Sequence, residues 1–187
     1  MNHISLAHYF WKKHLNPGDI AIDATCGAGN DTLFLAEVCL TDKSGIVYGI
    51  DIQKEAIDRT ETLITTALPP LKQDRVILLH MSHAPLPPQI PLANLIVYNL
   101  GYLPGSDKLI KTISPTSITS LESSLNRLLP GGMISVMLYP GHYEGLFEAQ
   151  TILNWASALS SETYSLSHHY RPNNPKSPGL LIIRNRN

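Results

Sequence analysis

Short apolar runs alternate with amphipathic stretches along nearly the whole chain, and this alternation restricts the fold more than any other feature. "IAIDA" (Ile20–Ala24), "GIVYGID" (Gly45–Asp51), "RVILLH", "ANLIVYN" and "MISVMLY" read as buried strands. Between them stand the helical stretches "NDTLFLAEVCL", "KEAIDRTETLITTAL", "PTSITSLESSLNRLL" and "LFEAQTILNWASAL". The second is stopped by Pro69-Pro70 and the third ends at "PGG", while a helix over Ser5–Leu15, closed by "NPGD", precedes the first strand. Strands alternating with helices build βαβ units, hence a mostly parallel α/β sheet covered by helices on both faces. The last two runs, "TYSLSHHY" and "GLLIIRN", have no helix between them, so one must run antiparallel, which completes a seven-stranded sheet. No repeat or low-complexity linker divides the chain, and residues 1–187 are expected to form a single domain.

Composition removes several classes of function. Apolar residues make up 43% and charged residues 16%, a globular balance. No window approaches the ~18 apolar residues of a membrane span. The opening "MNHISLAHYFWKKHL" has its lysines after its apolar residues and lacks a small-residue cleavage site, so it does not read as a secretory signal. Cys26 and Cys39 then read as two reduced thiols, and a cytoplasmic location is expected. Apart from His168-His169, whose side chains point to opposite faces of a strand, the eight histidines are scattered, and no metal site is expected. A net charge of −1 and a pI near 6.7 argue against nonspecific coating of nucleic acid, though not against gripping a short RNA segment. Residues 1–102 carry 7 Lys/Arg against 10 Asp/Glu, and residues 103–187 carry 7 against 5. The later half is therefore the phosphate-facing candidate.

The first strand runs into "DATCGAGNDT" (Asp23–Thr32). Gly27 and Gly29 allow the backbone to pass close to a ligand at the carboxyl edge of an open α/β sheet. Tight packing of the strand–helix turn would also explain them. Asp51, at the end of the second strand and followed by Ile52-Gln53, sharpens the functional reading, because a carboxylate there can accept hydrogen bonds from ribose hydroxyls. A dinucleotide fingerprint would have a third glycine where Thr32 stands and an open helix N-terminus for pyrophosphate, but Asp31 puts a negative charge there. An anion would be repelled and a sulfonium with an ammonium group would not. S-adenosylmethionine is the better ligand, and a parallel sheet ending in an antiparallel strand is the layout of Rossmann-like class I methyltransferases. Asp23, Thr25, Gly27, Gly29, Asn30, Asp31, Asp51 and Gln53 are the candidate cofactor residues. Ser82-His83, after the third strand, would lie over the adenine, unless they are ordinary loop residues.

The fourth strand ends beside the methyl donor, and its exit, "NLGY", resembles the "NPPY"-type motif of amino-group methyltransferases. Asn99 offers an amide oxygen that can hold an acceptor N–H without adding charge, and it also borders the cofactor. Tyr102 offers a flat face for a base. In the bland alternative, Asn99 caps a turn and Tyr102 belongs to the core. His142, in "PGHYEG", is a candidate proton acceptor beside water.

"DATCGAGNDTLFLA", "DIQ", "MSH", "NLGYLPGSDK" and "YPGHYEGLFEA" resemble, in order and spacing, the YtqB-type family of rRNA methylases, over about Ala7 to Ile183. Members of that family are assigned as MnmM-type tRNA wobble-uridine methyltransferases. The resemblance implies methylation of the side-chain amine of 5-aminomethyl-2-thiouridine, with tRNA bound at its anticodon region. The chain departs from the family pattern at Ala28, at Ser106 and in "RPNNPKSPGLLII". Lys108 and Lys111 after the acceptor loop, and Arg171 and Lys176 in the last loop, are the expected phosphate contacts. Three other readings stay open: methylation of an rRNA base or a protein amide nitrogen, a non-catalytic cofactor- and RNA-binding module, and a nicotinamide oxidoreductase. The sequence leaves a homodimer open.

Overall fold

In a computed structural model, which describes residues 2–100 and 114–187, the strands form one sheet in the order β3-β2-β1-β4-β5-β7-β6. Their bounds are β1 Ile20–Asp23, β2 Ile46–Asp51, β3 Val76–His80, β4 Ala93–Asn99, β5 Leu128–Leu138, β6 Tyr164–His169 and β7 Gly179–Asn185. β1 to β5 pair in parallel, and β7 runs antiparallel to both β5 and β6. The seven-stranded α/β layout with one reversed strand is the one expected from the sequence.

The helices are α1 His3–His14, α2 Asn30–Cys39, α3 Lys54–Ala67, α4 Pro70–Gln73, α5 Ser114–Leu125 and α6 Tyr143–Ser157. Alternation along the strands sorts the core into two layers. Ile22, Ile50, Ile96, Tyr98, Ile134 and Val136 face Leu121 of α5 and Ile152 of α6. Ala21, Val47, Leu95, Val97, Met133 and Ile182 face α1, α2 and α3 through Trp11, Leu35 and Ile64. Strand order reverses between β1 and β4, whose carboxyl ends carry Asp23 and Asn99. That reversal opens the crevice in which α/β sheets bind ligands.

Four boundaries differ from the sequence reading. α1 starts at His3 because the Asn2 side chain accepts the Ser5 N–H at 2.8 Å. α6 starts at Tyr143, with His142 as its N-cap. α5 ends at Leu125 rather than running to Leu129: Leu128 is buried opposite Ala93, and the chain bulges before Met133 pairs with Leu95. Pro69-Pro70 does stop α3, but Pro70 then opens the short α4, where its missing N–H has no helical partner to lose.

Candidate active site

The loop after β1 is stitched to the end of β2. The Cys26 N–H donates to the Ile50 carbonyl at 3.0 Å, and the Gly27 N–H donates to Asp51 Oδ2 at 3.0 Å. Asp51 Oδ1 accepts the Gln53 N–H at 2.9 Å, so one carboxylate ties both donor-side loops together. Each of its oxygens keeps a further lone pair for a ligand hydroxyl. Gly27 and Gly29 have φ of 54° and 84°, a left-handed backbone that favours glycine. At Gly29 packing matters as well, since a Cβ would lie 2.9 Å from the Thr60 Cα of α3. Tight turn geometry accounts for both glycines, and close packing on α3 for Gly29 as well.

Three carboxylates gather at this end, in different settings. Asp23 is fully buried, accepting the Thr32 hydroxyl at 2.7 Å and the Thr25 N–H at 3.2 Å. Burial, and then repulsion from Asp31, holds its pKa well above the usual carboxylate range. Its oxygens shape the loop and are closed to solvent. Asp31 lies in the first turn of α2 and is nearly buried, whereas Asn30 beside it is exposed. Ser82 is exposed, with its Oγ accepting the Ala84 N–H at 3.1 Å. His83 meets Tyr98 edge-on at 5.8 Å, and its buried Nδ1 has no hydrogen-bond partner among the described residues. Burial lowers its pKa, which keeps the ring neutral at neutral pH.

Asn99 closes β4 at the centre of a network that the sequence reading did not foresee. Its backbone N–H donates to Thr25 Oγ1 at 2.8 Å. Its side-chain Nδ2 donates to Asp31 Oδ2 at 3.1 Å, and its Oδ1 accepts the Tyr139 hydroxyl at 2.6 Å. Burial, then the nearby Asp31 charge, pushes the Tyr139 phenol up to about 12, so it stays a donor. A carboxylate that only accepts and a phenol that donates leave the amide one orientation. The other oxygen of Asp31 pairs with His8 Nε2 at 2.8 Å. His8 in turn stacks on Phe34 at 3.9 Å and leans on Trp11, whose indole N–H is held by Ser135 at 2.8 Å. His3, at the start of α1, meets the Tyr139 ring edge at 5.9 Å.

The other candidates fall into three groups. His142 uses Nδ1 to accept the Gly145 N–H at 3.1 Å, and the same atom lies 3.2 Å from Glu144 Oε2. Arg171 lies near enough to His3 to depress its pKa, after burial. Lys176 is exposed, and its carbonyl lies 3.3 Å from where a Gly141 Cβ would stand, so the last loop and the β5–α6 turn share one rim. Tyr102, Lys108 and Lys111 lie outside the described residues. Burial raises the thiol pKa of both free cysteines, Cys26 and Cys39, which disfavours thiolate nucleophiles. Among the described residues no group of three or more His, Cys, Asp and Glu could hold a metal, and no helix is long and apolar enough to cross a membrane.

The family model described as "Putative rRNA methylase" matches residues 47–185. A "tRNA (mnm(5)s(2)U34)-methyltransferase, chloroplastic" of Arabidopsis thaliana is 34% identical over 184 residues, 95% of this chain and 67% of the plant protein. A solved "putative rRNA-methylase" from Clostridium thermocellum is 32% identical, with a TM-score of 0.92 over 99% of this chain and 98% of that one. SMU.1697c of Streptococcus mutans, a "putative methyltransferase" solved in complex with SAH, is 29% identical, with a TM-score of 0.86 over 99% and 98%.

Proposed function

On the premise that the chain belongs to the rRNA methylase family, we propose that it is a cytoplasmic S-adenosylmethionine-dependent N-methyltransferase. Its proposed substrate is the side-chain amine of 5-aminomethyl-(2-thio)uridine at the tRNA wobble position. The observation that carries this reading is the Asn99 amide, fixed by Asp31 and Tyr139 and joined through Thr25 to the glycine loop. The plant relative's name and the SAH complex of the streptococcal protein support the substrate and the cofactor.

The donor end fits S-adenosylmethionine. The carboxylates of Asp31 and Asp51 suit a cationic ligand and would repel a pyrophosphate. Asp51 has lone pairs to spare for a ribose diol, and Ser82 and His83 would lie on the adenine side. Gly27, Gly29, Asn30 and Gln53 would border the cofactor. When bound, S-adenosylmethionine supplies an electrophilic methyl group.

The chain's own task is alignment. Asn99 Oδ1 has two lone pairs, one taken by Tyr139, and the second can accept an acceptor N–H. An amine held this way presents its own lone pair while adding no charge. Tyr139 and Asp31 act through Asn99, by preventing the amide from turning over. Only a neutral amine has the lone pair, so a proton must leave, to water or to His142. In the tautomer that caps α6, His142 Nε2 already carries a hydrogen. Accepting a proton therefore requires giving up the cap and turning Nδ1–H toward Glu144.

Nucleoside analysis of tRNA and rRNA from a deletion strain tests the substrate. Accumulated aminomethyl-(2-thio)uridine in tRNA with unaltered rRNA is expected. A methyl group lost from rRNA instead would overturn the reading.

A further inference from the structure

We infer that the cleft between the start of α1 and the β6–β7 connection binds the RNA nucleotide next to the one being methylated, stacking its base on the outer face of Tyr170, which His168 backs, and setting its phosphate against Arg171. This inference rests on the RNA-methylation reading and adds a site to it. The cleft encloses about 420 Å³ and is bounded by Asn2, His3 and Leu6 on one side and by His169, Tyr170 and Arg171 on the other. Among the described residues no Asp or Glu lines it, in contrast to the donor end.

Its chemistry is that of a nucleotide subsite. Tyr170 is 58% exposed yet lies nearly parallel to the His168 ring, with centroids 5.1 Å apart and planes 20° apart. Such a pair presents a flat aromatic platform to which any base can add its own face. Gly179 makes room for the platform, since a Cβ there would lie 2.9 Å from His168 Nε2. Burial keeps the His3 and His168 imidazoles below their usual pKa, so at neutral pH they are uncharged rings and the cationic charge comes from Arg171. His169 Nε2, buried and without a partner among the described residues, is a further polar group at the cleft wall.

Position argues for a neighbour of the target. His3 touches the Tyr139 ring, and the Tyr139 hydroxyl holds the Asn99 amide. The cleft thus begins one aromatic ring away from the acceptor amide, at the same carboxyl edge of the sheet, because His169 pairs with Leu180 and Leu138 with Gly179.

The test is fluorescence anisotropy with a synthetic anticodon stem–loop RNA, and with the same RNA made abasic at each position beside the target. Tyr170→Ala should weaken the intact RNA about tenfold, and Tyr170→Phe should retain affinity, because stacking needs the ring and not the hydroxyl. At the contacted position the abasic RNA should bind parent and Tyr170→Ala alike. An unchanged melting temperature and S-adenosylmethionine affinity would show that the variant is folded. Equal affinity of parent and Tyr170→Ala for the intact RNA would overturn the inference while leaving the methylation reading in place. A parent protein that does not bind this RNA would overturn both. If Tyr170→Ala altered only self-association, as read by light scattering, the cleft would belong to a second copy of the chain and the inference would fall.

Discussion

The carboxyl edge of the sheet is divided at the β1/β4 reversal into two regions of opposite character. On the β2 side stand Asp23, Asp31 and Asp51, held by backbone N–H groups, the Thr32 hydroxyl, the Asn99 amide and His8 beside tight glycine turns. On the β5–β7 side stand Tyr139, the His168–Tyr170 pair, Arg171 and Lys176, mostly exposed and with long side chains. The first region suits a small cation approached closely by backbone. The second suits a large polyanion with planar bases. Asn99 sits on the seam and is bonded to both, to Asp31 on one side and to Tyr139 on the other. The division suggests that donor affinity and RNA affinity can be damaged separately, while the methyl transfer step depends on the seam.

The largest effect should come from the seam itself. Asn99→Ala removes the acceptor contact and both of its tethers, so single-turnover methylation should fall about 10²-fold or more, with S-adenosylmethionine affinity changing much less. Parallel loss of both would break the division. On the donor side, Asp51→Ala leaves ribose hydroxyls without a charged acceptor and should cost about 2 kcal/mol of donor affinity, about thirtyfold, by calorimetry. RNA affinity should be unaffected. Tyr139→Phe frees the Asn99 amide to rotate without emptying the site, and should lower single-turnover rate about tenfold with little change in either binding constant.

Smaller effects sharpen the contrast. Lys176→Ala should reduce the slope of log K against log salt for RNA by about one and leave donor binding untouched. Stability against pH should reflect buried histidines. His14 and His83 have pKa values lowered mainly by burial, so the unfolded chain binds protons first as pH falls below about 6.5, and stability is lost on acidification. His83→Asn should flatten that fall in a melting-temperature series, whereas a surface histidine variant should not.

The donor region was the more legible in the sequence because its parts are local. The glycine turn, Asp31 and the strand-end Asp51 lie within one βαβ unit, and local spacing carries their geometry. The seam was half legible. Asn99 stands at a visible strand end, but its partners come from distant segments: Asp31 is 68 residues away, Tyr139 is 40 away, and His8 lies 23 residues before Asp31. Only the sheet order, which puts β5 beside β4, brings Tyr139 to the amide. The local role of His142 was hidden for a related reason: the chain turns into α6 there and uses its Nδ1 lone pair as a cap. The α5 boundary slipped because "NRLL" continues a helical pattern, while burial of Leu128 opposite Ala93 draws the chain into β5.

The most direct test of the division is single-turnover methylation by purified protein of tRNA bearing the aminomethyl group at the wobble uridine, followed by mass spectrometry of the digested nucleosides. One methyl group per tRNA, on the side-chain amine, is the expected result, with the yield saturating in both S-adenosylmethionine and tRNA. Unmethylated aminomethyluridine after incubation, or a methyl group found on another nucleoside, would contradict the account.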